Sequence, residues 1–445
     1  MKQDLTTGKV TRSMLWFAGP MIAGNLLQQF YNIADTLIVG QVLGSDALAA
    51  VGASYAVMVF LTSVLLGLCM GSGILFSMLW GAERRQDFKR SVFLSFVFIG
   101  AITLLLEVAS LLFMNPLLRL IQIPESIFAL TGEYLKIIFL GMAFTFVYNF
   151  FASLLRSIGN SSVPLLFLAV SAVLNILLDL LLVLVIPMGV AGAALATIAA
   201  QGVSALGIAW YTLKKMPQLL PGKEDCRWDS SMANQIVQYS LLTCVQQSVM
   251  NFGILMVQGL VNSFGVSVMA AFTAAVKIDS FAYMPVQDFG NAFSTYVAQN
   301  YGAQKKERIR KGIRSAVACA TIFCIVISAG VCLFARELML LFVKPHETEI
   351  IRIGVQYLQI EGACYCGIGC LFLLYGLFRG LGKPAISVVL TVISLGTRVA
   401  LAYSLAPIPS IGLLGIWWAV PIGWLLADAV GFIYYYRFAV NSSQR

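Results

Sequence analysis

The chain has 445 residues, of which 59% are apolar and 11% charged, with 29 Lys+Arg against 20 Asp+Glu, a single His and a mean hydropathy of +0.87. A water-soluble domain carries about 25% charged residues, so this composition excludes an ordinary soluble enzyme and describes a chain that crosses a membrane many times. With one His, no Cys/His metal-ligand spacing, no G-x-S-x-G and no glycine-rich phosphate loop, hydrolytic, zinc and nucleotide-driven chemistry lack their residues. Transport is what remains, with no cofactor.

The N-terminal MKQDLTTGKVTRSM is polar and has no signal-peptide core, so the first apolar segment is expected to stay in the mature chain. A bilayer-crossing helix needs about 20 mostly apolar residues. Windows of that kind fall near 14–40, 47–79, 91–115, 131–153, 163–186, 190–213, 235–261, 267–299, 313–335, 353–378, 385–405 and 412–436. The expected fold is therefore all-α, with twelve membrane-spanning helices.

The net charge of +9 sits in short clusters between these windows, as Lys and Arg do on the cytoplasmic side of a membrane, and does not describe a nucleic-acid surface. Both termini and the even-numbered loops hold 22 basic residues: Lys2, Lys9, Arg12, Arg84, Arg85, Lys89, Arg90, Arg156, Lys214, Lys215, Lys223, Arg227, Lys305, Lys306, Arg308, Arg310, Lys311, Arg314, Arg379, Lys383, Arg437 and Arg445. The odd-numbered loops hold four (Arg119, Arg336, Lys344, Arg352), and three (Lys136, Lys277, Arg398) fall within spans. Both termini are expected in the cytoplasm.

The sequence is duplicated. Gly81-Ala-Glu-Arg-Arg-Gln-Asp-Phe-Lys-Arg90 corresponds to Gly302-Ala-Gln-Lys-Lys-Glu-Arg-Ile-Arg-Lys311 at an offset of 221. Gln28-Gln29 with Gln246-Gln247, Tyr134-Leu135 with Tyr357-Leu358, Arg156-x-x-Gly159 with Arg379-x-x-Gly382 and Gly189-x-x-Gly192 with Gly412-x-x-Gly415 keep offsets of 218 to 223. Two six-helix lobes follow, 1–213 and 235–445, joined by a cytoplasmic linker at 214–234 that contains Pro217, Pro221 and Gly222. Each half begins and ends in the cytoplasm, so the repeats are parallel, about an axis along the membrane normal, as in alternating-access carriers with a central cleft.

Ionisable groups inside spans are costly and mark function. In the first half the notable ones are Asp35 in span 1 and Asp179 in span 5, with Asn175 one turn before Asp179 on the same face. Asp179 and Thr197 each lie nine residues from Met188, which at ~1.5 Å per residue puts both roughly 13 Å below the outer turn. Asp35, eight residues before Leu43, lies roughly 12 Å down.

Two carboxylates, an amide and a hydroxyl at one depth suit a hard cation such as Na⁺, and the same carboxylate pair could instead hold a proton. The bland alternative is helix capping or backbone hydrogen bonding, disfavoured because a buried membrane carboxylate is hard to keep as filler. Tyr31, one turn before Asp35, could orient its carboxylate or simply anchor the helix at the interface. Pro20, with Gly24 one turn on, permits a kink in span 1.

The second half lacks equivalents: Asp35 maps to Gly253 and Asp179 to 399–402. Its own polar set is Gln246, Gln247, Asn251 and Gln258 in span 7, Lys277, Asp279 and Asp288 in span 8, Glu361 in span 10 and Arg398 in span 11. The preferred reading is structural pairing of opposite charges, with Glu361 the exception. Cys364, Cys366 and Cys370 are read as packing residues, as are most aromatics, with Phe150, Phe281, Tyr283 and Met284 candidates for lining a cavity for flat organic cations.

The twelve-span duplicated plan, Pro20 with Asp35 fifteen residues later, Asn175-x-x-x-Asp179, Thr197 after the Pro-Met-Gly-Val-Ala-Gly turn, and the Arg-x-x-Gly loops at 156–159 and 379–382 resemble the multidrug and toxic compound extrusion (MATE) family over essentially the whole chain. The resemblance implies a V-shaped carrier of two pseudo-symmetric six-helix bundles in a bacterial cytoplasmic membrane. It also implies export of cationic, often aromatic, drugs or metabolites in exchange for Na⁺ or H⁺, with no obligatory protein partner. By the same resemblance Asp35, Asn175, Asp179 and Thr197 are the cation site, Tyr31 and Tyr134 its supporting network, and Pro20 the bending point. Span 7 has glutamines where a branch of the family has an acid, which sets the second half apart from that branch.

Two other functions are weighed. A flippase for lipid-linked saccharides needs several cavity-facing Arg or Lys to hold pyrophosphate, and the spans contain three basic residues. An integral-membrane enzyme needs a nucleophile with its base, and His346 in an outer loop supplies neither.

Overall fold

The computed structural model describes residues 4–121 and 123–443; Lys2 and Arg445 of the basic count lie outside them. The described residues form helices and no strand. The first half contains α1 (Val10–Leu43), α2 (Ser45–Gly81), α3 (Arg85–Leu112), the short α4 (Met114–Leu120), α5 (Glu125–Leu140), α6 (Met142–Ser157), α7 (Ser162–Asp179) and α8 (Gly189–Lys215). The second contains α9 (Ser230–Asn262), α10 (Val266–Gly302), α11 (Lys306–Leu333), the short α12 (Ala335–Leu340), α13 (Thr348–Ala363), α14 (Tyr365–Gly380), α15 (Pro384–Leu405) and α16 (Leu413–Ser443). Nine helices among the described residues are long and apolar enough to cross a bilayer, or eleven when the bent pairs α5–α6 and α13–α14 each count as one span. α1 has the length, but Asn25, Gln28, Gln29, Asn32 and Asp35 make it too polar for that count.

The duplication is written into the backbone. α5 and α6 meet at Gly141 with a bend of 43°, and α13 and α14 meet at Cys364 with a bend of 52°, 223 residues later. Left-handed residues come in pairs at the same offsets: Gly44 with Gly265, Gly159 with Gly382, Gly189 with Gly412, and Glu83 (φ 58°) with Gln304 (φ 57°). A left-handed turn on a non-glycine is uncommon. Its recurrence closing α2 and α10 shows that the loop, and not the residue, sets the geometry.

The chain divides into two compact units, and their limits are not those of the repeat. Gly19–Cys244 form the first unit; Leu5–Ala18 and the chain from Val245 onward form the second. α1 thus starts in the second unit and passes into the first immediately before Pro20, which lies within the helix. α9 does the reverse at Cys244/Val245.

Within the first unit, α2 packs on α5 and α6, and α8 on α5, α6 and α7. A Cβ at Gly67 would lie 2.5 Å from the Cys244 Cα, and one at Gly71 would strike the Tyr239 carbonyl, so small residues let α2 and the start of α9 meet backbone to backbone. Ser72 and Ser240 share a 2.8 Å hydrogen bond at this contact. Asp229 caps α9 by accepting from the Met232 and Ser231 amides and from Arg90. The Met232 amide, followed by Arg90, holds its carboxyl below the ordinary aspartate value.

In the second unit α10 is the central helix, packed on α11, α13 and α14, while α15 pairs with α16. Gly290 and Gly376 bring α10 and α14 into backbone contact. The N-terminal segment is held on the corner between α10 and α11. Arg308 donates to the Leu5, Thr7 and Gly8 carbonyls at 3.2, 2.9 and 2.9 Å, Lys305 to the Thr6 carbonyl at 2.8 Å, and Asn300 to the Leu5 carbonyl at 3.1 Å.

Candidate functional site

Asp179 closes α7, and Leu180–Val185 continue as a π-helical turn. The wider turn shifts the backbone register, so that Ile186 N–H bonds Leu181 O at 2.8 Å and Met188 N–H bonds Leu182 O at 3.0 Å. π segments inside helices collect at functional sites. Gly192 at the start of α8 lies against the Leu182 carbonyl, where a Cβ would come within 2.7 Å.

Four side chains from three helices converge above this turn. Asp179 is fully buried, Asn175 is buried one turn before it, and Asp35 and Thr197 are half-buried on α1 and α8. The carboxyls of Asp35 and Asp179 face each other. Asn175 Nδ2 donates to Thr197 Oγ1 across 3.4 Å, and Thr197 donates to the Ala193 carbonyl at 3.1 Å. Asp35 Oδ1, both Asp179 oxygens and Asn175 Oδ1 are buried and receive no hydrogen bond from the protein. Buried polar oxygens left without donors are rare. Four such oxygens meet at this cluster.

Tyr31 lies between Gln28 and Asp35, and Tyr134 of α5 is buried beside both carboxyls and Tyr31. Tyr134 packs among Val39, Val183, Val190 and Ala193, which fixes its ring. Gly24 admits Leu168 of α7 to within 3.3 Å of where a Cβ would stand. Of the sequence-derived set for the first half, Tyr31, Asp35, Tyr134, Asn175, Asp179 and Thr197 come together, while Pro20 and Gly24 lie further along α1.

The second half's polar residues separate into groups. Asp279, Glu361 and Arg398 line one cavity, with Tyr283, Gln287, Tyr357, Phe372, Tyr375, Trp424 and Met250 in its wall. Tyr365 donates to Asp279 Oδ1 at 2.7 Å. Glu361 is fully buried with neither oxygen bonded, and Arg398 is half-buried with Nε unbonded. No ion pair within 4 Å joins the three among the described residues, while the Arg398 charge acts through space on both Asp279 and Glu361 across the shared cavity. Lys277 is exposed, two residues and about 200° around α10 from Asp279. Gln246 and Asp288 are buried, with Gln247 and Asn251 half-buried, and none of the four lines the cavity.

Among the proposed cavity aromatics, Tyr283 lines this space. Phe150 does not, being buried in a cluster with Phe76, Phe96, Phe146 and Phe151. Asp428 of α16 was not singled out from the sequence, yet it is buried with Oδ1 unbonded. Among the described residues no group of three or more His, Cys, Asp or Glu converges as a metal site would require.

The sequence profile of the MatE family matches residues 20–181 and 241–404, one stretch in each half. The chain belongs to the MatE family. Members of this family are transporters and not enzymes. The chain is 30% identical over 97% of its length, and 96% of the relative's, to "Probable multidrug resistance protein YpnP" of Bacillus subtilis. It is 27% identical to the "Probable multidrug resistance protein NorM" of Thermotoga maritima over 92% of this chain and 88% of that one. To the "Multidrug export protein MepA" of Staphylococcus aureus it is 22% identical, over 98% and 96%.

Solved structures share the MatE fold. The outward-facing conformation of a multidrug resistance MATE family transporter matches with a TM-score of 0.93 at 23% identity, over 100% of this chain and 99% of that one. A MOP superfamily transporter from Pyrococcus furiosus, titled for the reverse polarity of its binding pocket, matches at 0.91 with the same identity and coverage.

Proposed function

We propose that this MatE protein is a secondary antiporter that exports cationic, aromatic drugs or metabolites in exchange for Na⁺ or H⁺, with both termini in the cytoplasm. Asp35, Asn175, Asp179 and Thr197 take the coupling ion, Tyr31 and Tyr134 orient the carboxyls, and α1 bends at Pro20–Gly24 as occupancy changes. The repeats 1–213 and 235–445 supply the two moving bodies, each repeat lending the start of its first helix to the other body. The observation that carries this reading is the set of four donor-less buried oxygens on three helices. Two facing carboxyls accept a cation or proton at modest cost and lose it when the site opens to a medium poor in that ion. Binding differential between the two orientations is what couples the ion to the conformational change. The names of the relatives, multidrug resistance and export proteins, support the substrate class.

The test is accumulation of a fluorescent organic cation in cells expressing wild type, Asp35→Asn or Asp179→Asn at matched membrane levels, with external pH and Na⁺ varied separately. Wild type should lower accumulation in response to one of the two ions, and both variants should lose that response. Full export by both single variants would refute the assignment.

A further inference from the structure

We propose that Asp428 of α16 is a proton-binding site of the second unit, separate from the Asp35–Asp179 cluster. It lies fifteen residues past the start of α16, about 22 Å along the helix. The side chain is 6% exposed and receives no hydrogen bond or ion pair, and Oδ1 is fully sealed. An isolated charge buried at membrane depth is too costly to persist. It takes a proton, a metal cation or an ionic partner.

The surroundings decide among these. The helices packed on α16 are α13, α14 and α15, and α10 reaches it through Phe272, stacked on Trp417. They bring Tyr357 and Glu361, then Cys366, Cys370 and Tyr375, then Arg398, and from α10 Asp279 and Tyr283. Arg398 forms no ion pair with Asp428, which removes the ionic partner. Asp428 Oδ2 faces Gly367, 3.9 Å from where a Cβ would stand, and the neighbouring Trp424 side chain is 3.6 Å from the same point. Glycine, thiols and an aromatic wall are poor ligands for a hard cation, which needs several oxygens. A proton needs only one. The carboxylate and a proton combine to a neutral carboxyl, and no other bond changes.

Trp424, one turn before Asp428 on the same face, lines the cavity that holds Asp279, Glu361 and Arg398, as does Tyr375. Asp428 is thus one helical turn beyond the cavity wall, and Gly367 leaves its approach from α14 uncovered. The site is placed to give its proton to, or take it from, water entering that cavity.

The direct test does not depend on transport. Full-length Asp35→Asn/Asp179→Asn protein in liposomes is treated with dicyclohexylcarbodiimide, which reacts with protonated carboxyls in apolar surroundings, and the adduct on Asp428 is quantified by peptide mass spectrometry. Asp428 should be modified at acidic pH, and the yield should fall about tenfold or more towards alkaline pH. No adduct in folded protein, or one independent of pH, would overturn the proposal. In the otherwise wild-type chain, Asp428→Asn should shift the pH profile of cation export and Asp428→Glu should restore it. A folded Asp428→Asn protein with an unshifted profile would also overturn it. Loss of export in the Asp35 and Asp179 variants bears on the coupling site alone, so the two assignments fail separately.

Discussion

Thr197 shows how one hydroxyl serves two roles: it accepts from Asn175 and donates to the Ala193 carbonyl, so its oxygen is fixed at the level of the carboxyls. Thr197→Val keeps the volume and removes that oxygen. We expect the half-saturating concentration of the coupling ion to rise roughly fivefold to tenfold, the equivalent of one hydrogen bond of about 1 kcal/mol, with maximal export little changed. An ion-titrated transport assay checks it. An unchanged half-saturation would remove Thr197 from the site. The four residues of this cluster were legible in sequence because depth along a helix is a one-dimensional quantity: Asp179 and Thr197 count from Met188, Asp35 from Leu43, and Asn175 lies one turn from Asp179. Which way a side chain points is legible too when spacing is heeded: Lys277 and Asp279, two residues apart, cannot share a face, and Lys277 is exposed. Asp428 carries an equally plain signal, an acid inside the apolar window 412–436.

Helix pairs are set by where side chains are missing. α2 meets the start of α9 through Gly67 and Gly71, and a methyl group at Gly71 would collide with the Tyr239 carbonyl, which cannot rotate away as a side chain could. Gly71→Ala should therefore destabilise the first unit by about 1–3 kcal/mol, read as a lower thermal midpoint in detergent and a loss of the Ser72–Ser240 hydrogen bond. A midpoint equal to wild type would mean that α2 and α9 separate freely. The bends at Gly141 and Cys364 follow the repeat at its offset of 223, but neither break was read from the sequence, which gives each pair as one continuous span. The π turn after Asp179 was not legible, because Leu180-Leu-Leu-Val-Leu-Val185 is as apolar as an ordinary helix and the extra residue per turn leaves no compositional trace.

At the scale of the whole molecule, hydropathy and charge counting identify a multi-pass membrane protein, and the duplication anticipates two similar units. They do not show which unit each segment joins, because that depends on long-range contacts. The start of α1 belongs to the second unit, where Arg308 makes three bonds to the Leu5–Gly8 carbonyls. Arg308→Ala should loosen that hold by about 1–3 kcal/mol, making the bonds of residues 4–12 cleavable by protease under conditions where wild type is resistant. Identical cleavage of both proteins would show that the segment is retained by other contacts.

The crossings of α1 and α9 have a further consequence. A half-length chain folding alone would leave the beginning of its first helix without the surface it packs on, since that surface belongs to the other repeat. Such a half should complete itself only by lending that segment to a second copy and borrowing the same segment back, as domain-swapped dimers do. In these terms the two repeats exchange the starts of their first helices within one chain, as the partners of a swapped dimer do between two.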